Sequence, residues 1–250
     1  MTTFRNGILV GAIMAACGTP VFASDDGVLR ARVGVSTNDF TTIWSGGDLE
    51  TDYTSLNFGA TYITPNAFYL DLGVKKDTSA SWNTMELNPN TNDGKDEDYS
   101  RTDVTLTIGK ALDNGIQLFA GYQDSSATIA LPAISWVQGF GSVEEEEVDV
   151  DGFFFGVGKS FKIGEGSVNL NAAYAFMDAT LIDAVGGSHD STDGDGYSVG
   201  ASYTRYLSEA VAVNFELKQQ KYSYEFNADS PNTGGDDKMT MMGVNLVYQF

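Results

Sequence analysis

The chain has 250 residues, 34 acidic side chains against 14 basic ones, a formal net charge of -20, 28 glycines, one cysteine and one histidine. Acid in that excess excludes a nucleic-acid binder, which needs basic groups to replace phosphate counterions, and one Cys with one His cannot build a zinc site, an iron–sulfur site or a structural disulfide. With 42% hydrophobic residues the chain is too apolar for a disordered acidic tail, and its length suits one large all-β domain or two small ones.

Residues 1–23 read as a secretory signal peptide. Arg5 precedes an apolar run from Ile8 to Ala16 that is too short to span a bilayer, and Pro20 with Val21-Phe22-Ala23 sets a cleavage point before Ser24. The mature chain is then residues 24–250, and Cys17 leaves with the signal. A competing pattern, Met14-Ala15-Ala16-Cys17-Gly18, resembles a bacterial lipobox with Met where Leu is usual; in that reading Cys17 is the lipidated N-terminus.

From there on no stretch keeps a helical period for three turns, and the repeated pattern is period two, which marks strands with two unlike faces. Leu29, Ala31, Val33 and Val35 alternate with Arg30, Arg32, Gly34 and Ser36. Leu56, Phe58, Ala60 and Tyr62 oppose Ser55, Asn57, Gly59 and Thr61; Phe68, Leu70, Leu72 and Val74 oppose Tyr69, Asp71, Gly73 and Lys75. The pattern continues through Val104–Ile108, Ile116–Gln123, Phe153–Gly158, Val168–Phe176, Tyr197–Tyr203, Val211–Leu217 and Met242–Phe250. These ten segments are roughly nine to twelve residues each, the length a tilted strand needs to cross a membrane.

Connections alternate strictly in length. Thr64–Asn66, Lys110–Gly115, Phe161–Gly166 and Leu207–Ala210 are tight turns with Gly, Asn, Asp or Pro where turn geometry favours them. The other five, about 37–52, 76–99, 124–150, 178–195 and 223–237, are long. Such alternation gathers the short turns at one end of the sheet and the long loops at the other. The expected fold is therefore an all-β, ten-stranded antiparallel up-and-down transmembrane barrel with four short periplasmic turns and five long outer loops.

The aromatics agree with membrane placement. Tyr62, Phe68, Tyr203, Tyr248 and Phe250 fall at the short-turn end of the apolar face; Tyr122, Phe153, Tyr174, Phe176 and Tyr197 fall at the long-loop end, giving two girdles. A soluble sandwich or calyx is the competing fold, but its opposite face would not combine small residues with mid-strand Arg and Asp. The terminus Gly243–Phe250 resembles the closing strand of bacterial outer-membrane barrels, with Tyr248 and Phe250 matching the aromatic signal read by that family's assembly machinery. The turn Tyr206–Val213 is similar to turns in small OmpA-like barrels. The resemblance implies the fold and a bacterial outer-membrane location, with membrane lipid, lipopolysaccharide and the barrel assembly machinery as partners. It assigns no activity.

Parity places eight charges in the lumen: Arg30, Arg32, Asp71, Lys75, Arg101, Asp103, Glu216 and Lys218. Charges in such an interior must pair or keep water. Kept hydrated, they line a porin-like passive channel for small solutes or ions, whose acidic outer face concentrates cations at the mouth. Paired, they form a salt-bridged plug in a non-conducting structural or surface-interaction barrel. The channel is the expected function and the plugged barrel its alternative.

The five long connections hold 25 of the acids against Lys76 and Lys95 as bases. Clusters at 93–98, 144–151 and 190–195 lack the EF-hand register, so no cofactor is expected beyond loosely bound divalent cations, with Asp190, Asp193 and Asp195 as weak metal candidates. No enzyme activity is expected. His189-Asp190-Ser191 has the His-x-Ser spacing of one class of outer-membrane lipid deacylases but lies in a Gly/Asp-rich loop. Ten-stranded outer-membrane proteases carry an Asp-x-His element, and the only histidine here follows Gly186-Gly187-Ser188. Gly158-Lys159-Ser160 lacks the earlier glycine of a phosphate-binding loop. Residues 127–137 are unusually apolar for an outer loop and suit an extended strand, an inward fold or a contact surface.

Overall fold

A computed structural model describes residues 27–44, 47–83, 96–129, 146–182, 187–226 and 234–250. The signal peptide and Cys17, and residues 130–137 of the apolar stretch, lie outside these. The described residues form ten strands: β1 (Val28–Trp44), β2 (Gly47–Ile63), β3 (Phe68–Asn83), β4 (Asp96–Ala111), β5 (Ile116–Ile129), β6 (Glu146–Ile163), β7 (Gly166–Ile182), β8 (Ser188–Tyr206), β9 (Val211–Phe226) and β10 (Gly234–Gln249). Each pairs antiparallel with its neighbours in sequence, and β1 closes on β10, making a closed up-and-down barrel. Closure matters because a membrane offers no water to satisfy an open sheet edge.

The period-two pattern maps onto two environments. Val33, Val35, Phe58, Leu70, Leu106, Leu118, Phe155, Val199, Phe215 and Val244 are exposed on the outside, while their sequence neighbours are buried within. So continuous an apolar exterior is a lipid-facing surface. Rings stand at both of its ends: Tyr62, Phe68, Tyr248 and Phe250 near the turns, and Tyr122, Phe153, Tyr174, Phe176 and Tyr197 at the other. The turns are compact. Leu112 and Ile116 bond across the β4–β5 turn, with Gly115 at φ +80° beside the Ser160 carbonyl, where a side chain would be both strained and crowded.

The strands are longer than the sequence pattern suggests, at 14 to 19 residues. A tilted strand needs about 9–11 to cross the membrane, so the rest of each stands beyond the outer aromatic girdle. Segments read as loops are largely strand. Residues 37–44 and 47–52 pair as Thr37↔Thr54 through Trp44↔Gly47, and Asp124 pairs opposite Asp151. Most of the acid thus rides on strand extensions.

Inside, glycine sets the packing. Gly59 lies opposite Arg32, Gly109 opposite Tyr69, Gly156 opposite Phe119, Gly121 opposite Phe154, and Gly196 opposite Tyr222. A Cβ at any of the five would overlap the facing side chain. Each large lumen group therefore lies against the neighbouring strand, and side chains laid in this way fill the barrel. The buried cluster they build includes Ile63, Tyr69, Phe119, Val150, Phe154, Met177, Tyr222 and Tyr224.

Candidate functional site

The lumen is the candidate site, and it is layered. At the short-turn end Val28, Ile63 and Tyr69 are buried, and Arg30 donates from Nε to Gln249 at 3.0 Å. One step further, Arg32 reaches over Gly59 of β2 and grips Asp71 of β3 with two parallel bonds of 2.6 and 2.9 Å. The Thr61 hydroxyl donates to the same carboxylate at 2.5 Å. A fork onto a carboxylate fixes angle as well as distance, which a lysine in place of Arg32 would not.

Above this pair, Asp103 of β4 is shared. Arg101 Nε donates to its Oδ1 at 2.6 Å, and Lys75 Nζ stands 3.4 Å from Oδ2. Lys75 also approaches the sulfurs of Met239 and Met241, at 3.6 and 4.0 Å. Arg101 lies 5.2 Å from the centre of the Phe40 ring. Lys218 is buried beside Met241 on the neighbouring strand, and Glu216 is partly buried and lines a void with Arg32, Lys75 and Asn245. That void holds about 20 Å3, room for about one water.

All eight charges assigned to the lumen by parity thus point inward, and the structure joins five of them into two ion-paired groups: Arg32–Asp71, and Lys75–Asp103–Arg101. Between Gln117 and Ala127 of β5, Val148 and Ser160 of β6, Ser167 and Leu181 of β7, and Gly194 and Thr204 of β8, the inward-facing residues carry no charge. This wall is built from Gln117, Ser160, Asn169 and Asn171, which bond to one another, and from rings and small residues above them.

Asp77 and Asp237 are inward acids that the sequence pattern assigns to loops. Asp77 lies at a register shift of β3 and accepts the backbone N–H of Arg101 at 2.8 Å. Asp237 of β10 faces inward at the outer end, near the Thr42 and Tyr224 hydroxyls. Inward parity carried past the membrane would have found Asp237, since Met239, Met241 and Asp237 follow in step.

The outward acids are placed differently. Asp124, Asp151 and Asp178 lie directly opposite one another on β5, β6 and β7. Tyr122 donates to Asp151 and Tyr174 to Asp195, each at 2.6 Å. Of the weak metal candidates, Asp190 accepts from Thr180 at 2.9 Å and Asp195 from Tyr174, while Asp193 is exposed. No group of three or more His, Cys, Asp or Glu side chains among the described residues is arranged to hold a metal. Tyr248 and Phe250 stack edge to face at 4.8 Å on the barrel exterior.

A closed ten-stranded barrel with a lipid-facing exterior, two aromatic girdles and a polar interior defines a bacterial outer-membrane β-barrel. No protein-family model and no curated protein sequence matches the chain. Among solved structures it is similar to the outer membrane protease OmpT of Escherichia coli, with a TM-score of 0.57 and 13% identity over 93% of this chain and 100% of that one. The β domain of the Bordetella autotransporter BrkA aligns at a TM-score of 0.49 and 11% identity, covering 90% of this chain and 100% of the other. Neisserial surface protein A aligns at 0.37 and 11%, covering 88% and 99%. The likeness to OmpT is one of fold.

Proposed function

We propose that this protein is a non-conducting outer-membrane barrel whose ion-paired lumen stiffens a wall that carries acidic strand extensions at the cell surface. The observation behind this reading is the ionic layer, where Arg32–Asp71 and Lys75–Asp103–Arg101 span the lumen side of β1, β3 and β4 and leave about 20 Å3 beside them. Ion flow needs continuous water, and a void for about one molecule breaks the column. The porin-like channel needs these pairs to separate, and each separation strands a charge in the interior.

Planar-bilayer recordings test the reading. Purified, folded protein should give no current steps above those of a protein-free bilayer. The double variant Arg32→Ala with Asp71→Ala removes both partners of one pair and should begin to conduct. Regular steps from the unaltered protein would sink the proposal in favour of the channel. In this reading the exterior meets membrane lipid and lipopolysaccharide, the Tyr248–Phe250 terminus serves the assembly machinery, and the outer acids attract divalent counterions loosely.

A further inference from the structure

Beyond the ionic layer, toward the outer end, the lumen opens into a cup that the plugged-barrel reading does not use. Its lining comes from β1, β4, β5, β6, β7, β9 and β10, and it encloses about 40 Å3. The walls are apolar, with Phe40, Val148, Val150, Ala179, Leu181 and Phe226 among them. Into this apolar space come one carboxylate, Asp237, the Arg101 guanidinium at its floor, and the hydroxyls of Ser125, Thr42, Tyr99 and Tyr224.

Thr42, Tyr99 and Tyr224 are 2%, 2% and 6% exposed. Thr42 and Tyr224 stand beside Asp237 and Tyr99 beside Arg101, yet none of the three hydroxyls makes a hydrogen bond of acceptable geometry among the described residues. A buried hydroxyl without a partner costs about 1–3 kcal/mol, so three in one cavity point to a missing polar group. The charges say which sign it has. Arg101 already meets Asp103 at 2.6 Å and the Phe40 ring, whereas Asp237 forms no ion pair with any described base.

We infer that the cup is a binding site for a small primary amine. The ammonium head offers three N–H donors to the Asp237 carboxylate and to the Thr42 and Tyr224 oxygens, and the alkyl chain lies along Val148, Val150, Ala179 and Leu181. The enclosed space takes about three heavy atoms, so the rest of a longer amine points out of the mouth. A carboxylate ligand would meet Asp237 head-on. A neutral alcohol would satisfy hydroxyls and leave the carboxylate without an ion-paired counter-charge. Acidic strand ends around the mouth, such as Asp39, Glu50 and Asp52, raise the local cation concentration.

The test uses full-length folded protein in detergent micelles and n-butylammonium as the probe, read by saturation-transfer NMR and titration calorimetry. Binding should saturate, n-butanol should bind at least about tenfold more weakly, and Asp237→Asn should weaken the amine by about tenfold or more. Asp52→Asn removes the same charge from the same end but outside the lumen, and should leave the affinity within about twofold. Absence of saturation, equal binding of alcohol and amine, or an unchanged affinity in Asp237→Asn each overturns the assignment. Should Asp237→Asn fail to fold, Tyr224→Phe asks the same question: it keeps the ring and drops one acceptor, and an affinity equal to that of the unaltered protein overturns the site.

Discussion

The two sides of the barrel handle charge in opposite ways. On β1, β3 and β4 carboxylates and bases face inward and meet one another, as in Arg32–Asp71 and Lys75–Asp103–Arg101. On β5, β6 and β7 the inward wall from Gln117 to Ala127, Val148 to Ser160 and Ser167 to Leu181 is uncharged, and the carboxylates Asp124, Asp151 and Asp178 face outward in a row without a base between them. The difference follows from what each environment demands. A charge deep in the lumen is answered by protein atoms, so Asp71 and Asp103 sit where bases lie within reach; an outward acid beyond the girdle is answered by water and ions.

Removing a carboxylate from each side should therefore give very different results. Asp103→Ala leaves Arg101 and Lys75 both without their shared partner, and loss of one member of a buried pair costs about 3–5 kcal/mol. Asp151→Asn relieves a like-charge row and should change stability by less than about 1 kcal/mol, in the stabilising direction. Denaturant unfolding in lipid vesicles measures both. Comparable losses in the two variants would mean that the outward row is as tightly integrated as the lumen pairs.

A second contrast concerns space. Gly59 on the ionic side seats Arg32, and Gly121 on the uncharged side seats the Phe154 ring. Gly59→Val should push the guanidinium off Asp71, and Gly121→Val should lift Phe154 from the wall; overpacking of this kind costs about 1–3 kcal/mol. Gly158 differs, because an added Cβ there meets Gln117 Oε1 at 3.3 Å, a side-chain end that can give way. Gly158→Ala should be within about 0.5 kcal/mol of the unaltered protein. Equal costs at all three positions would show that the glycines serve the backbone rather than the rings.

Which parts of this were legible in the sequence follows from where the two faces of a strand meet unlike surroundings. Within the membrane one face meets lipid and the other the lumen, so alternation such as Leu29/Arg30/Ala31/Arg32 was plain, with Leu29 exposed and Arg30 buried. Above the girdle the outer face meets water, polar residues occupy both faces, and the contrast fades. Thr37 to Thr42 therefore read as loop, although Asn38, Phe40 and Thr42 are buried in strict alternation. The pairing itself was not legible. Arg32 reaches Asp71 by crossing an intervening strand, which depends on the register Arg32↔Gly59 and Thr61↔Asp71. The cup needed residues from seven strands, and no local pattern gathers those.

The smallest expected effect separates the two sides by pH at their outer ends. On β5, Asp124 is held above the usual carboxylate range by partial burial and then by Asp151 and Asp149 nearby. On β10, Asp236 is held below that range by hydrogen bonds from Lys221, 2.6 Å away, and from Ser223. An acid whose folded pKa is raised adds stability at low pH and loses it as pH rises through that value; a depressed one adds stability at higher pH and loses it as pH falls. Acidification from neutrality toward the ordinary aspartate range, near 4, should thus slow amide exchange at the outer ends of β5–β7 first. Asp237, beside Asp236, is held above the usual range by burial and adds to the slowing on β10, so only further acidification, with Asp237 already protonated, should speed exchange around the Lys221–Asp236 pair, once the intrinsic pH dependence of exchange is divided out. Asp124 and Asp236 are partly exposed and screened, so the protection changes should be a few-fold at most. Hydrogen exchange that moves the same way on both sides throughout the acidification would erase the distinction beyond the girdle, and would confine it to the lumen, where the paired charges are.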